Sequence, residues 1–87
     1  MKRSKHAIIS EILSICQGGA SKTRIVYQAN LNFRTVNPYL NLLLKNNLIA
    51  IKPDKNNIYE TTERGMNLLE DFKHINTQLN EYESVTA

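Results

Sequence analysis

The chain has 87 residues and a formal net charge of +3, which is enough for one small domain and at most one additional helix. Its single cysteine, Cys16, excludes an internal disulfide framework, and no apolar run reaches the roughly 18 residues of a membrane span. The basic N-terminus is followed by an apolar run that breaks at Glu11, so we expect no signal peptide. These features favour a cytoplasmic protein, and the small core favours an oligomer.

Charge is divided unevenly along the chain. Residues 1–55 contain nine Lys/Arg and two Asp/Glu, a net charge of +7, whereas residues 56–87 contain two Lys/Arg and six Asp/Glu, a net charge of −4. A basic body with an acidic tail suggests a polyanionic partner at one end of the molecule and a different role at the other. The alternative is that both are ordinary solvated surfaces.

The first predicted helix runs from Ser4 or Lys5 to Gln17. Isoleucines and Cys16 recur there at three- and four-residue spacings and form one apolar stripe. Ser4 can cap this helix, and the two glycines that follow it can end it. Because Cys16 lies on the apolar stripe, we expect a buried thiol and not a reactive one.

A second, short helix is predicted after Ser21, which can act as its N-cap. Ile25, Val26 and Ala29 would then face inward. Residues 30–32 are predicted to form a turn, because asparagine tolerates positive φ and bonds locally to its own backbone.

The third predicted helix has two competing starts. Asn32 can cap a long helix, but Pro38 then lies in its second turn, where the missing N–H and the ring cost about 3 kcal/mol. Alternatively Asn37 is the cap, Pro38 is the first helical residue, and residues 33–36 form a separate turn. We favour the second start because it avoids the penalty. The predicted apolar face consists of Val36, Tyr39, Leu40, Leu42, Leu43 and Leu44.

A β-hairpin is predicted next, because the hydrophobic period changes after residue 47. The β-branched segment 48–52 and the extended segment 58–61 are separated by the turn-forming loop 53–57. Lys52 and Lys55 would lie near the tip of this hairpin.

The last predicted helix is capped by Thr61 or Thr62 and runs from Glu63 to about Tyr82. Five of its apolar residues alternate steps of four and three, as in a coiled-coil seam: Leu68, Phe72, Ile75, Leu79 and Tyr82. We expect the first part of the helix, with Met66 and Leu69, to pack on the body. The rest of the seam would project and associate with a second copy, unless the tail folds back onto its own domain.

The order helix, helix, turn, helix, hairpin, helix is a winged helix-turn-helix arrangement. The segments SKTRIVYQANLNF, YLNLLLKNNLI and YETTERGMNLLEDF resemble the small archaeal winged-helix DNA-binding proteins of about ten kilodaltons, some of them dimeric and chromatin-associated. The resemblance covers residues 5 to about 82. It implies double-stranded DNA binding by a symmetric dimer joined through antiparallel last helices. This chain ends soon after Tyr82, whereas some relatives have longer helices, so we expect a shorter dimer contact.

The expected fold is therefore mainly α with a small β-hairpin. Residues 1–62 would form a winged helix-turn-helix DNA-binding domain. Residues 63–87 would form a long C-terminal dimerisation helix with a frayed end.

The third helix of a helix-turn-helix lies in the DNA major groove. Its predicted outer side, which contains no acid, is formed by Arg34, Asn37, Asn41 and Lys45. Asparagine can bond bidentately to adenine, and arginine to guanine or phosphate. If Asn37 is the cap, its side chain is lost as a base reader and Arg34 contacts phosphate from the preceding turn. The alternative is a merely solvated helix face.

Further phosphate contacts are predicted where the second helix begins, because backbone N–H groups and the helix dipole attract anions there. The residues are Ser21, Lys22, Thr23 and Arg24. Arg24 can instead pair with an acid of the same chain. Lys52 and Lys55 suit the minor groove or the flanking backbone, and Lys2, Arg3 and Lys5 suit a basic arm, but both groups can equally be solvated.

Nothing in the sequence favours catalysis, a metal or a cofactor. His6, His74 and Cys16 are too few and wrongly spaced for a structural zinc site, and Gly18-Gly19 lacks the pattern of a phosphate loop. The prediction is therefore a homodimeric double-stranded DNA-binding protein, a transcription regulator or chromatin-associated factor of the cytoplasmic nucleoid. The alternative is a winged-helix protein-interaction module whose C-terminal helix docks on another protein.

Overall fold

The structure is a computed structural model that describes the backbone of residues 4–55 and 57–86 and the side chains of residues 4–54 and 57–75. The order of elements is the predicted one. The elements are α1 (Lys5–Ile15), a 3-10 turn (Cys16–Gly18), α2 (Lys22–Ala29), α3 (Phe33–Lys45), β1 (Ile49–Lys52), a second 3-10 turn (Pro53–Lys55), β2 (Ile58–Thr61) and α4 (Glu63–Thr86).

Both serine caps of the first two helices are confirmed. The Ser4 hydroxyl accepts the N–H of Ala7 at 3.1 Å, and the Ser21 hydroxyl accepts the N–H of Arg24 at 3.2 Å. Helix α2 ends at Asn30, whose φ of 55° and ψ of 49° are left-handed, as the predicted turn requires.

Helix α3 begins at Phe33, so the favoured start at Pro38 is wrong. Asn32 is the cap: its side-chain oxygen accepts the N–H of Thr35 at 2.8 Å. The residues between Asn32 and Asn37 form the first helical turns and not a separate turn. Pro38 is inside the helix, where it cannot donate a backbone hydrogen bond.

Burial of Val36 explains why the helix starts early. The first turn carries Val36 into the core, where it is completely buried. Full burial of a valine side chain stabilises by about 1.5–3 kcal/mol, which is comparable with the cost of about 3 kcal/mol for an internal proline. The cap does not decide between the two starts, because Asn32 and Asn37 would each contribute about 1 kcal/mol. Local preference alone favoured the other start, and tertiary packing reversed it.

One continuous core joins all four helices and the hairpin. It consists of Ile8, Ile12, Leu13, Cys16, Ala20, Ile25, Val36, Leu40, Leu43, Ile49, Tyr59 and Leu69. Leu69 is buried as predicted, but Met66 is 38% exposed, so its predicted packing on the body is wrong. Leu42 was also expected on the core face, and its side chain is 46% exposed. At 3.6 residues per turn, Leu42 lies about 120° from the centre of the buried face, which accounts for the difference.

The two strands pair antiparallel, with Ile49 opposite Thr61 and Lys52 opposite Ile58. Ala20, which precedes α2, forms an isolated antiparallel β-bridge with Tyr59. The two residues exchange backbone hydrogen bonds of 2.9 and 2.8 Å. The predicted hairpin is thus confirmed, and it is attached to the segment between α1 and α2.

Thr62, and not Thr61, caps α4. Its hydroxyl accepts the N–H of Gly65 at 3.1 Å and donates to the carbonyl of Asn47 at 2.6 Å. Its own N–H donates to the carbonyl of Leu48 at 3.0 Å. Thr61 instead donates its hydroxyl to the carbonyl of Leu13 at 2.7 Å, inside the core. The start of α4 is therefore bonded directly to the turn that follows α3.

Gly65 allows the close approach of α4 to the body. A side chain at this position would collide with the carbonyl oxygen of Leu48 and press on the methyl group of Thr61. Within the described residues, no helix combines the length and the apolar character needed to cross a membrane.

Candidate nucleic-acid interface

The outer side of α3 presents all four residues that the sequence analysis assigned to it. Arg34, Asn37, Asn41 and Lys45 are exposed, whereas Val36, Leu40 and Leu43 on the opposite side are buried. No acidic residue occurs anywhere in this helix. The outer side of α3 is therefore positively charged and rich in hydrogen-bond donors.

The corrected start of α3 changes the roles of two of these residues. Asn37 is not the cap, so its exposed amide remains available for a ligand. Arg34 is held in the first turn of the helix and does not precede it. Both residues thus belong to the same rigid element as Asn41 and Lys45.

The beginning of α2 forms a second basic region. The Ser21 hydroxyl is occupied by the N–H of Arg24, Lys22 is half-buried, and Thr23 and Arg24 are exposed. A terminal nitrogen of Arg24 donates to the carbonyl of Gly19 at 3.4 Å, which is longer than a typical N–H···O bond. The first turn of α2 contains no acid. An anion can therefore approach both the backbone N–H groups and the guanidinium of Arg24.

The thiol of Cys16 lies close enough to Arg24 for the two to interact. Burial raises the pKa of Cys16 to about 11, and the nearby guanidinium only partly opposes this shift. The thiol is consequently neutral at neutral pH and unreactive. The predicted buried, structural cysteine is confirmed.

On the hairpin, Lys52 has a partner within the chain. Its ammonium group lies 3.1 Å from a carboxylate oxygen of Glu60. Glu60 faces Ala50 across the hairpin, so it is the diagonal neighbour of Lys52 on one side of the sheet. This pair was not predicted from the sequence, because it depends on the register of the two strands. Any contact between Lys52 and a phosphate must compete with Glu60.

The remaining basic residues contribute less to the described surface. Lys5 is exposed at the start of α1. The described part of the chain does not include Lys2, Arg3 or the side chain of Lys55. Their predicted contacts therefore stay predictions.

The seam of α4 is only partly within the described side chains. Leu68 and Phe72 are half-buried, and Phe72 contacts the ring of His6 with a centroid separation of 5.8 Å. Ile75 is 50% exposed. Leu79 and Tyr82, the other two predicted seam residues, lie outside the described side chains.

Three exposed apolar residues on α3 were not predicted to take part in a site: Phe33, Pro38 and Leu42. Leu42 and Pro38 are both exposed and are spaced four residues apart, so they lie on one side of the helix. The spacing of the apolar residues could have predicted the exposure of Leu42, because Val36, Leu40 and Leu43 already define a complete buried face that excludes it.

Among the side chains of residues 4–54 and 57–75, no group of three or more His, Cys, Asp or Glu residues could hold a metal ion. The outer side of α3 and the first turn of α2 present cations, amides, hydroxyls and a few apolar groups, and neither contains an acid. Such groups suit a polyanionic ligand with readable polar edges.

Comparison with known proteins agrees with this geometry. The sequence profile of a family described as winged helix-turn-helix matches residues 2–80. The uncharacterized protein MJ0287 of Methanocaldococcus jannaschii is 41% identical over 68 residues, which are 77% of this chain and 67% of that protein. The uncharacterized protein MJ0290 of the same organism is 38% identical over 76 residues, which are 86% of this chain but 35% of that longer protein.

A solved structure is similar over nearly the whole chain. The crystal structure of Sso10a-2, a DNA-binding protein from Sulfolobus solfataricus, superposes with a TM-score of 0.76 and 30% identity. The match covers 97% of this chain and 93% of that one. The resemblance to small archaeal winged-helix DNA-binding proteins is thus confirmed. This chain belongs to the winged helix-turn-helix family, as shown by the order of its helices, its hairpin and the match of residues 2–80.

Proposed function

We propose that this protein binds double-stranded DNA as a homodimer and acts on the nucleoid in the cytoplasm, as a transcription regulator or chromatin-associated factor. The observation that carries the proposal is the exposed, acid-free side of α3 within a winged helix-turn-helix fold. The major groove admits a helix, and the donors on this side match the acceptors on base edges and phosphates.

Charge distribution supports the same proposal. The start of α2 offers backbone N–H groups and two cations, Lys22 and Arg24, to a phosphate. The net negative charge of residues 56–87 keeps the tail away from DNA and leaves the basic side of the body accessible. Sso10a-2, which is similar over nearly the whole chain, is a DNA-binding protein.

A salt titration of DNA binding tests the proposal directly. Each phosphate neutralised lowers the logarithm of the affinity by about 0.9 per tenfold increase in salt. With several phosphates contacted per subunit, the affinity for a duplex should fall at least tens-fold between about 50 and 200 mM salt. Fluorescence anisotropy with a labelled duplex measures this. An affinity independent of salt would contradict the proposal.

Charge-removing variants locate the surface. Lys22→Ala and Arg24→Ala should weaken binding to all sequences alike, because phosphate contacts carry no sequence information. Asn41→Ala should change the sequence preference if its amide reads a base. Lys73→Ala is the matched control, because it removes an exposed cation from α4. A loss of affinity in the control equal to that of Lys22→Ala would place the DNA elsewhere.

The homodimer is proposed to form through α4, with Leu68, Phe72, Ile75, Leu79 and Tyr82 along the contact. The half-exposed Ile75 supports this, because an apolar side chain of that size gains from being covered. Light scattering of the purified protein should give the mass of a dimer. Ile75→Glu and Leu79→Glu should yield monomers, whereas Met66→Glu, on the opposite side of α4, should not.

The exposed Ile75 also favours a second candidate function, a winged-helix module whose C-terminal helix docks on a different protein. That candidate predicts a monomer in light scattering and no measurable affinity for DNA. A dimer that binds DNA in a salt-dependent manner would exclude it.

A further inference from the structure

We infer that Leu42 and Pro38 form an apolar contact surface for the C5-methyl groups of thymine in the major groove. The two residues would then be specificity-determining residues that distinguish thymine from a base without this methyl group. The inference rests on the proposed DNA binding through α3. It adds a readout by apolar contact to the readout by amide and cationic donors.

Leu42 and Pro38 lie next to one another on the exposed side of α3. Leu42 is 46% exposed and Pro38, one helical turn earlier, is also exposed. At about 100° per residue, Pro38 lies between Lys45 and Leu42 around the helix axis, so the apolar pair borders directly on the cationic stripe. A base whose phosphate is held by Lys45 or Arg34 would therefore present its groove edge to Leu42 and Pro38.

Neither Leu42 nor Pro38 belongs to the hydrophobic core of the described residues. Leu42 contributes no buried surface comparable with that of its neighbour Leu43, which is completely buried. Pro38 inside a helix costs about 3 kcal/mol. Costly local features of this kind persist where they serve a site.

Hydrogen bonds hold the backbone of α3 at Leu42. The carbonyl oxygen of Leu42 accepts the side-chain amide of Asn46 at 2.8 Å and the backbone N–H of Asn46 at 3.2 Å. These two bonds close the last turn of α3 around Leu42. The apolar side chain is thus presented from a fixed backbone, and little further ordering is needed when a ligand binds.

Charge decides which ligand covers this apolar pair. Arg34 and Lys45 flank it, and the helix contains no acid, so a polyanion is favoured over an ordinary apolar protein surface. In the major groove, the methyl group of thymine is the characteristic apolar feature, and apolar side chains contact it. Duplex DNA supplies both the anionic frame and the apolar group.

The test compares two duplexes of identical, A·T-rich sequence that contain either thymine or uracil. The two differ only in the C5-methyl groups. The wild-type protein should bind the thymine duplex about threefold to fivefold more tightly per methyl group contacted, as expected for burying one methyl-sized apolar group. Leu42→Ala should show a clearly smaller preference for the thymine duplex, with Pro38 as the remaining apolar contact. Its Tm should be unchanged, because the side chain it loses is exposed.

Lys22→Ala provides the matched control for the same measurement. It should weaken binding to both duplexes by one common factor and leave their ratio unchanged, because a phosphate contact does not depend on the base. In a G·C-rich duplex, replacing cytosine by 5-methylcytosine restores a methyl group at the equivalent position. This replacement should increase the affinity of the wild-type protein more than that of Leu42→Ala.

Equal binding of the two duplexes by the wild-type protein would overturn this inference and leave the proposed function intact. An undiminished thymine preference in Leu42→Ala would also overturn it, since Leu42 would then make no contact with the methyl groups. A change in the oligomeric state of Leu42→Ala would assign the residue to a protein interface instead. Absence of binding to either duplex would reject the proposed function together with the inference.

Discussion

Helices α3 and α4 are built alike but differ in charge. Each buries one side against the common core and exposes apolar residues on another side, Leu42 on α3 and Ile75 on α4. Helix α3 has two Lys/Arg and no acid, whereas α4 has five Asp/Glu and two Lys/Arg. The same kind of exposed apolar residue therefore lies in opposite electrostatic surroundings.

The favoured partner of an exposed apolar residue therefore depends on the charges around it. Beside cations, as at Leu42, the partner that gains most is an anion with an apolar edge. On a helix with an excess of acids, such as α4 with its exposed Ile75, nucleic acid is disfavoured and a protein surface is the better partner. The two helices thus divide the molecule into a surface proposed for DNA and a surface proposed for association.

The largest expected effect separates the two sides of α3. Leu43→Ala should lower the free energy of unfolding by about 2–5 kcal/mol, because it leaves a cavity in the core. Leu42→Ala, one residue earlier, should change it by less than about 0.5 kcal/mol, as is usual for exposed positions. Urea denaturation of both variants measures the difference. Similar losses in the two variants would mean that Leu42 also supports the fold.

The attachment of α4 to the body can be broken at Gly65. Helix propensity alone predicts a gain of up to about 1 kcal/mol for Gly65→Ala. Collision with the carbonyl of Leu48 instead predicts a loss of about 3 kcal/mol. The expected Tm is therefore lower by more than about 10 °C.

Gly18→Ala is the control for this variant, because a side chain there would have no heavy atom within 4 Å. Its Tm should stay close to that of the wild type. A raised Tm for Gly65→Ala would show that α4 does not pack closely on Leu48.

The destabilisation of α3 by its internal proline can be measured by replacing Pro38. Pro38→Ala restores the missing helical hydrogen bond and should raise the free energy of unfolding by about 2–3 kcal/mol. Pro53→Ala, in the hairpin loop, should instead lower it by about 0.4–1 kcal/mol, because the unfolded chain gains freedom. Thermal unfolding should therefore show shifts of opposite sign. A loss of stability in both variants would mean that Pro38 fits its helix without strain.

The smallest expected effect concerns the core beneath both helices. Burial raises the pKa of Cys16 from its ordinary value of 9.0 to about 11 in the folded protein. The neutral thiol contributes fully to the free energy of unfolding below the pKa of the unfolded state. This contribution is lost as the pH rises towards the pKa of the folded state. Stability should thus fall by about 2 kcal/mol between pH 9 and 11.

Cys16→Ala serves as the reference for this prediction. The variant loses packing but should lack the part of the alkaline decline that the thiol causes. Stability measured at several pH values in both proteins gives that part as a difference. Identical pH profiles would show that the thiol does not titrate differently in the folded and unfolded states.

Local signals in the sequence predicted much of this fold. Ser4, Ser21 and the glycines and asparagines of the turns act within a few residues of themselves, so their effects can be derived from the sequence. The start of α3 could not be derived in this way. It depends on the burial of Val36 by distant residues, which outweighs the local preference of Pro38 for a first turn.

The candidate site was predictable to a similar extent. The helical spacing of Arg34, Asn41 and Lys45 placed them on an exposed side, as observed. The pairing of Lys52 with Glu60 depends on strand register, and the exposure of Leu42 depends on the width of the buried face. Both require three-dimensional packing, which a local pattern does not contain.

The bonds of Thr62 have a geometric consequence for any assembly. Its hydroxyl and N–H hold the first turn of α4 to the segment directly after α3. These bonds fix the position of the first turn of α4 relative to the end of α3 within each subunit. If α4 joins two subunits, the interval between their α3 helices follows from the fold and not from a flexible linker. Such a dimer would accept only those operators whose half-sites have matching separation and phase.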